Sequence, residues 1–175
     1  MTTPPRSRAL NNDSGAGSRP AAGPAGGPPR SAMPQPYAKS WTIPSTNAAA
    51  AQVQQQIVDA IQNFGYKREA VFAVRLALDE ALVNAVKHGN RGDESKKVKI
   101  EFNINDERLV VAIADEGKGF VPEQLPDPTA EENLSRPNGR GVMLMRAYMT
   151  DVQFNDAGNQ VILTKRSDCE RPHVS

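Results

Sequence analysis

Lys97-Val98-Lys99-Ile100-Glu101-Phe102-Asn103-Ile104 alternates without a break. Val98, Ile100, Phe102 and Ile104 fall on one face; Lys97, Lys99, Glu101 and Asn103 fall on the other. Successive side chains of a strand point to opposite faces, so this stretch reads as a strand with one wet face, as antiparallel sheets allow. Asn105-Asp106 offers hairpin-turn chemistry. Leu109, Val111 and Ile113 then mark a second strand, and Asp115 falls on their side of it.

Upstream, Trp41 and Ile43 alternate with Ser40 and Thr42 as a short strand that Pro44 ends. Residues 45–47 offer helix N-caps, residues 48–64 read as a helix, and Gly65 is its stop. Residues 67–88 read as a second helix on Leu76, Val83 and Val86, with Phe72 and Leu82 adding to its apolar faces and Gly89 closing it. Downstream, residues 116–139 carry four prolines and three glycines; so long a connection is usually functional. A helix over about 141–149, a short strand at Val152 and Phe154, a turn over 156–159 and a last strand over 161–164 complete the order β α α β β α β β. Hairpins with helices grouped before and between them predict an α+β fold: an antiparallel or mixed sheet covered by helices on one face.

The chain has 175 residues and a formal net charge of +1, room for one domain or one domain plus a tail. Residues 1–36 hold eight of the 14 prolines, and their bulky apolar residues are Leu10 and Met33. So little apolar surface cannot offset the entropy of ordering, and the stretch reads as disordered, a solvated leader or a weak binding arm. Its four arginines against Asp13 give it +3, which leaves −2 for the remainder. The expected division is a Pro/Gly/Ala-rich tail over 1–36, a folded domain over 37–166 and a short C-terminal tail over 167–175. The near-zero charge removes the electrostatic argument for direct nucleic-acid or membrane binding. The longest purely apolar stretch, 109–114, is far short of the ~20 residues that span a bilayer. No apolar segment follows Arg6 and Arg8 as a secretory signal requires. Cys169 is the single cysteine, and His88 and His173 are the two histidines, which leaves no internal disulfide and no Cys- or His-rich metal cluster. The expected compartment is the cytoplasm.

Three constellations could carry chemistry. Glu80, Asn84 and His88 are spaced by four, along one helical stripe. A Glu and an Asn so stacked can position a water and offer an amide oxygen to a hard cation such as Mg²⁺; they also fit an ordinary solvated face. His88 and Lys87 near the helix end equally suit its dipole. Asp115-Glu116-Gly117-Lys118-Gly119 ends a strand with an inward carboxylate. Such a group needs a donor, for which the exocyclic amine of adenine would serve, and the glycines allow close backbone approach. Gly139-Arg140-Gly141 precedes a helix and could expose backbone N–H groups to phosphate, or act as a hinge.

Taken together and in order, these resemble the N, G1 and G2 boxes of the GHKL ATPase superfamily. The stretch Leu78-Asp79-Glu80-Ala81-Leu82-Val83-Asn84-Ala85-Val86-Lys87-His88-Gly89-Asn90 is most similar to the small anti-sigma factor kinases of the RsbW/SpoIIAB type. So are Gly139-Arg140-Gly141-Val142-Met143-Leu144-Met145 and residues 159–165. The resemblance covers about residues 41–166. It implies a Bergerat-type two-layer α/β sandwich with ATP between helices and sheet. It implies Glu80 as general base, Asn84 as Mg²⁺ ligand and Asp115 as acceptor from the adenine amine, with Gly119 giving the base room. Residues 116–139 would be an ATP lid. Lys87, His88, Gly117, Gly139, Arg140 and Gly141 would complete the nucleotide site. The implied partners are a STAS-domain anti-anti-sigma protein, phosphorylated on Ser or Thr, a sigma factor, and a second copy of the chain. The runner-up reading is a binding module that sequesters a partner with little turnover. Two features depart from the pattern: Asn90 stands where such proteins often carry an aromatic, and the lid segment is long and Pro-rich.

Overall fold

The computed structural model describes residues 35–119 and 140–167. Most of the expected N-terminal tail, residues 168–175, Gly139 and residues 120–138 of the expected lid lie outside them. Where side chains alternate, the chain forms strands: β1 (Tyr37–Pro44), β2 (Lys97–Ile104), β3 (Arg108–Asp115), β4 (Asp151–Phe154) and β5 (Gln160–Arg166). They form one sheet in the order β1-β2-β3-β5-β4, and all four pairings are antiparallel. The register sets Ile100 opposite Ile113, Phe102 opposite Val111, and Val111 opposite Leu163, so apolar rows run across one face. Two asparagines fold the hairpins. Asn105 Oδ1 accepts from the backbone N–H of Glu107 and Arg108, and Asn155 Oδ1 from those of Asn159 and Gln160.

Among the described residues, three helices cover the apolar face. Thr46 caps α1 (Asn47–Phe64), its Oγ1 accepting from Ala49 N–H at 3.3 Å, and Gly65 ends it at φ +94°. Val53, Ile57, Ile61 and Phe64 form its buried stripe. α2 (Arg68–Val83) runs on into a π-helical turn over Asn84–Gly89, and α3 is Arg140–Tyr148. The buried amide of Gln54 ties α1 to α2, donating to Arg75 O at 3.0 Å and Asp79 Oδ1 at 3.1 Å. Lys97, Lys99, Glu101 and Asn103 stay exposed on the far face.

The expectation for α2 needs correction: the α-helical winding ends at Val83, with Gly89 inside the π turn that follows, and Leu76 and Val83 are only half-buried. Phe72 does not join the core: it is 58% exposed and meets Tyr148 of α3 edge-on, ring centroids 6.5 Å apart. The buried stripe runs through Ala70, Val74, Ala77, Leu78, Ala81 and Leu82. Weighing bulky residues rotates the helix the wrong way, because alanines let α2 pack closely against both α1 and α3. This difference is measurable. Leu78, with no exposed surface, should cost about 2–5 kcal/mol on truncation to Ala. Phe72→Ala should stay within about 0.5 kcal/mol, as exposed sites do. Urea unfolding of the two variants checks the pair, and equal losses would contradict the packing.

Candidate functional site

Glu80 on α2 and Asn84, the first residue of the π turn, sit one turn apart, half-buried, on the side that faces the start of α3. The approach is close. A Cβ on Gly141 would stand 2.5 Å from Glu80 Oε2 and 3.6 Å from Asn84 Nδ2, so a side chain there would press on the Glu80 carboxylate. From Asn84 the winding widens: Asn90 N–H bonds to Ala85 O, five residues back, at 2.8 Å. Single π turns inside helices often mark functional sites. Here the turn delivers Gly89 against the carboxylate of Asp115. Any side chain on Gly89 would overlap that carboxylate.

Asp115 ends β3 on its inner side, opposite Val98. Its Oδ1 accepts from Gly117 N–H at 2.8 Å; among the described residues nothing donates to Oδ2. Burial pushes the Asp115 carboxyl up, against the Gly117 hydrogen bond and the Lys96 charge, which lower it. A half-buried carboxylate with a spare acceptor oxygen is chemically suited to an N–H donor from a ligand. Asn159 holds the backbone here: Asp115 N–H donates to its carbonyl at 3.0 Å, and its Nδ2 donates to Asp115 O at 3.3 Å.

One cavity of about 310 Å³ joins these groups, within the usual range for small-molecule sites. Glu80, Asn84, His88, Asp115, Gly119 and Gly141 line it. Its apolar walls come from Ala81, Ile113, Val142, Met145 and Val161. The other sequence candidates stand apart from that lining. Gly117 reaches the cavity through its bond to Asp115. Lys87 is exposed on the π turn, and Arg140 is exposed as the first residue of α3. Gly139 lies outside the described residues. Sequence reasoning missed the site roles of Gly89 and Asn159, and saw Asn90 only as a departure. Spacing alone reads Gly89 as a helix stop and Asn159 as a turn residue. Each acts through backbone or packing geometry that spacing does not carry.

Among the described residues, an antiparallel sheet under three helices, with a cavity between the layers, defines a class of α/β sandwich. A family model described as the histidine kinase-like ATPase domain matches residues 43–165. The serine-protein kinase RsbW of Listeria innocua is 32% identical over 108 residues, 58% of this chain and 69% of the relative. That of Bacillus subtilis is 29% identical over 138 residues, covering 74% and 85%. In fold, the chain is similar to the crystal structure of the RsbU and RsbW domains of Rv1364c from Mycobacterium tuberculosis. The TM-score is 0.53 at 17% identity, over 78% of this chain and 33% of that longer one. The chain belongs to the histidine kinase-like ATPase family, among the RsbW-type serine-protein kinases.

Proposed function

We propose that the chain is an ATP-dependent anti-sigma factor, a kinase that phosphorylates Ser or Thr of a STAS-domain anti-anti-sigma protein and sequesters a sigma factor. The observation that carries this is two carboxylates in one cavity with different surroundings. Glu80 lies beside the start of α3, and Asp115 offers an unengaged oxygen near apolar walls. Adenine would fit between those walls with its amine on Asp115, the phosphates extending toward Glu80, Asn84 and Gly141. His88 lines the same cavity, and Lys87, Gly139 and Arg140 are the further candidates for the phosphate end. Among the described residues no group of three or more His, Cys, Asp or Glu could hold a metal ion. Mg²⁺ needs no such cage, because it takes one or two protein oxygens and the nucleotide's phosphates. Asn84 Oδ1 would be the protein's ligand, and the ion would neutralise charge on the phosphoryl oxygens. Glu80 would hold the acceptor hydroxyl and take its proton. The acceptor's O–P bond forms as the bond from the γ-phosphorus to the β–γ bridging oxygen breaks, releasing ADP.

In this reading residues 37–166 are the kinase domain, acting in the cytoplasm, and a homodimer is its assembled form. The test is transfer of label from γ-labelled ATP to a serine or threonine of a STAS-domain protein encoded beside this chain. Transfer is expected. A chain that bound ATP and sigma factor yet transferred nothing would be a sequestering module, with ATP as a structural ligand. The metal assignment has its own check. Asn84→Ala should keep the fold by circular dichroism, since Ala is the better helix former. It should also lose the gain in ATP affinity that Mg²⁺ gives the wild type. An equal gain in both proteins would remove Asn84 as ligand.

A further inference from the structure

Asn90 is fully buried, with 0% of its surface exposed. Both ends of its amide are engaged, and the two bonds belong to a closed ring. Asn90 Nδ2 donates to Lys97 O at 2.9 Å, Lys97 N–H donates to Glu116 Oε2 at 2.6 Å, and Glu116 N–H donates to Asn90 Oδ1 at 2.8 Å. The ring ties three segments: the end of the π turn, the first residue of β2 and the peptide that follows Asp115. Asn159 grips the same stretch from the other side, through Asp115 N–H and O. The backbone carrying the Asp115 carboxylate is therefore held on both flanks, and the carboxylate sits in the space that a side chain on Gly89 would need.

We propose that Asn90, with Glu116, is a positioning residue that fixes the Asp115 carboxylate and thereby sets selectivity for a 6-aminopurine over a 6-oxopurine. This rests on the nucleotide reading above. A 6-amino group donates to a carboxylate, whereas a 6-oxo group sets an acceptor against it. Discrimination needs the carboxylate to stay in place, since one free to swing aside tolerates either base. The aromatic expected at position 90 could fill the volume, but it could not supply an amide that both donates to Lys97 O and accepts from Glu116 N–H.

The test compares ATP with inosine triphosphate by calorimetry on the full chain. In wild type the ratio of affinities favours ATP. In Asn90→Ala and in Glu116→Ala it should fall about tenfold, the low end of what lost orienting partners cost a binding group in metal sites. Inosine triphosphate, held by its phosphates, should change less than about twofold, because only the amine-specific contact is being loosened. Glu116→Gln keeps an acceptor oxygen for Lys97 N–H and should restore the ratio. Glu116 is exposed, so its variants carry the test if Asn90→Ala does not fold. A merely structural role would lower melting temperature and weaken both nucleotides alike, and an unchanged ratio in the variants would overturn the inference. A wild type that preferred neither nucleotide would overturn the adenine reading itself, and the inference with it.

Discussion

Glu80→Gln is expected to lose about 10²–10⁴ of the single-turnover rate of phosphoryl transfer, or roughly 2.7–5.5 kcal/mol of barrier, while ATP still binds. Glutamine keeps the size and can still hydrogen-bond, but it cannot accept a proton at neutral pH. Its carboxylate lies against Gly141, so an isostere is the right probe; Glu80→Ala would also empty the space beside the start of α3. Phosphoryl transfer depends heavily on positioning and metal charge, which places the expected loss toward the low end. On the proposed function, the variant should act as a constitutive sequestering protein, because a STAS partner could no longer be switched by phosphorylation. Rapid-quench transfer measured beside nucleotide affinity separates the cases. A near-wild-type rate removes Glu80 as base, and a matching loss of ATP affinity makes it a binding group instead.

Much of the fold was legible because strands advertise themselves. The alternation of residues 97–104 and 109–113 requires two half-buried strands, and their inner residues do face the core. Asn105 and Asn155 turn their hairpins by side-chain bonds that short-range sequence encodes. The helical span 67–88 was legible, but neither the rotation of α2 nor the change of winding after Val83 was. Its buried stripe is built largely of alanines, whose importance lies in how near they let neighbours come, and a scan for bulky residues turned Phe72 inward instead. The site divided in the same way. Glu80, Asn84 and Asp115, which line the cavity, could be named as candidates from their spacing, and their roles only from the family resemblance. The π turn could not, because it is a winding choice that no residue type signals, yet it sets Gly89 against Asp115. Asn90 and Asn159 escaped for a related reason. Their bonds reach 26 and 44 residues along the chain to Glu116 and Asp115, a distance only the sheet closes.

Asp115→Asn is expected to weaken ATP binding by about 10- to 150-fold, the range that the loss of a charge-assisted hydrogen bond of about 1.5–3 kcal/mol implies. The substitution keeps an oxygen for Gly117 N–H, so the strand end should hold its shape. It removes the ionised acceptor that an adenine amine would use. The same group makes a second, opposite prediction for the nucleotide-free protein. Burial raises the folded-state pKa of Asp115 above its unfolded value. Such a group contributes stability that is fully present below the unfolded pKa and is lost as pH rises through the raised folded one. At neutral pH the ionised carboxylate therefore costs the fold, and Asp115→Asn should raise the melting temperature of the nucleotide-free chain there. The gain should shrink as the wild-type carboxyl takes up its proton on acidification. Wild-type ATP affinity should run the other way, falling with pH through that raised pKa, because binding needs the carboxylate form. Thermal melts and calorimetry of both proteins across the acid range test both signs. A variant that melted lower at neutral pH and bound ATP as wild type does would mean that Asp115 is a structural strand-end carboxylate and that adenine is recognised elsewhere.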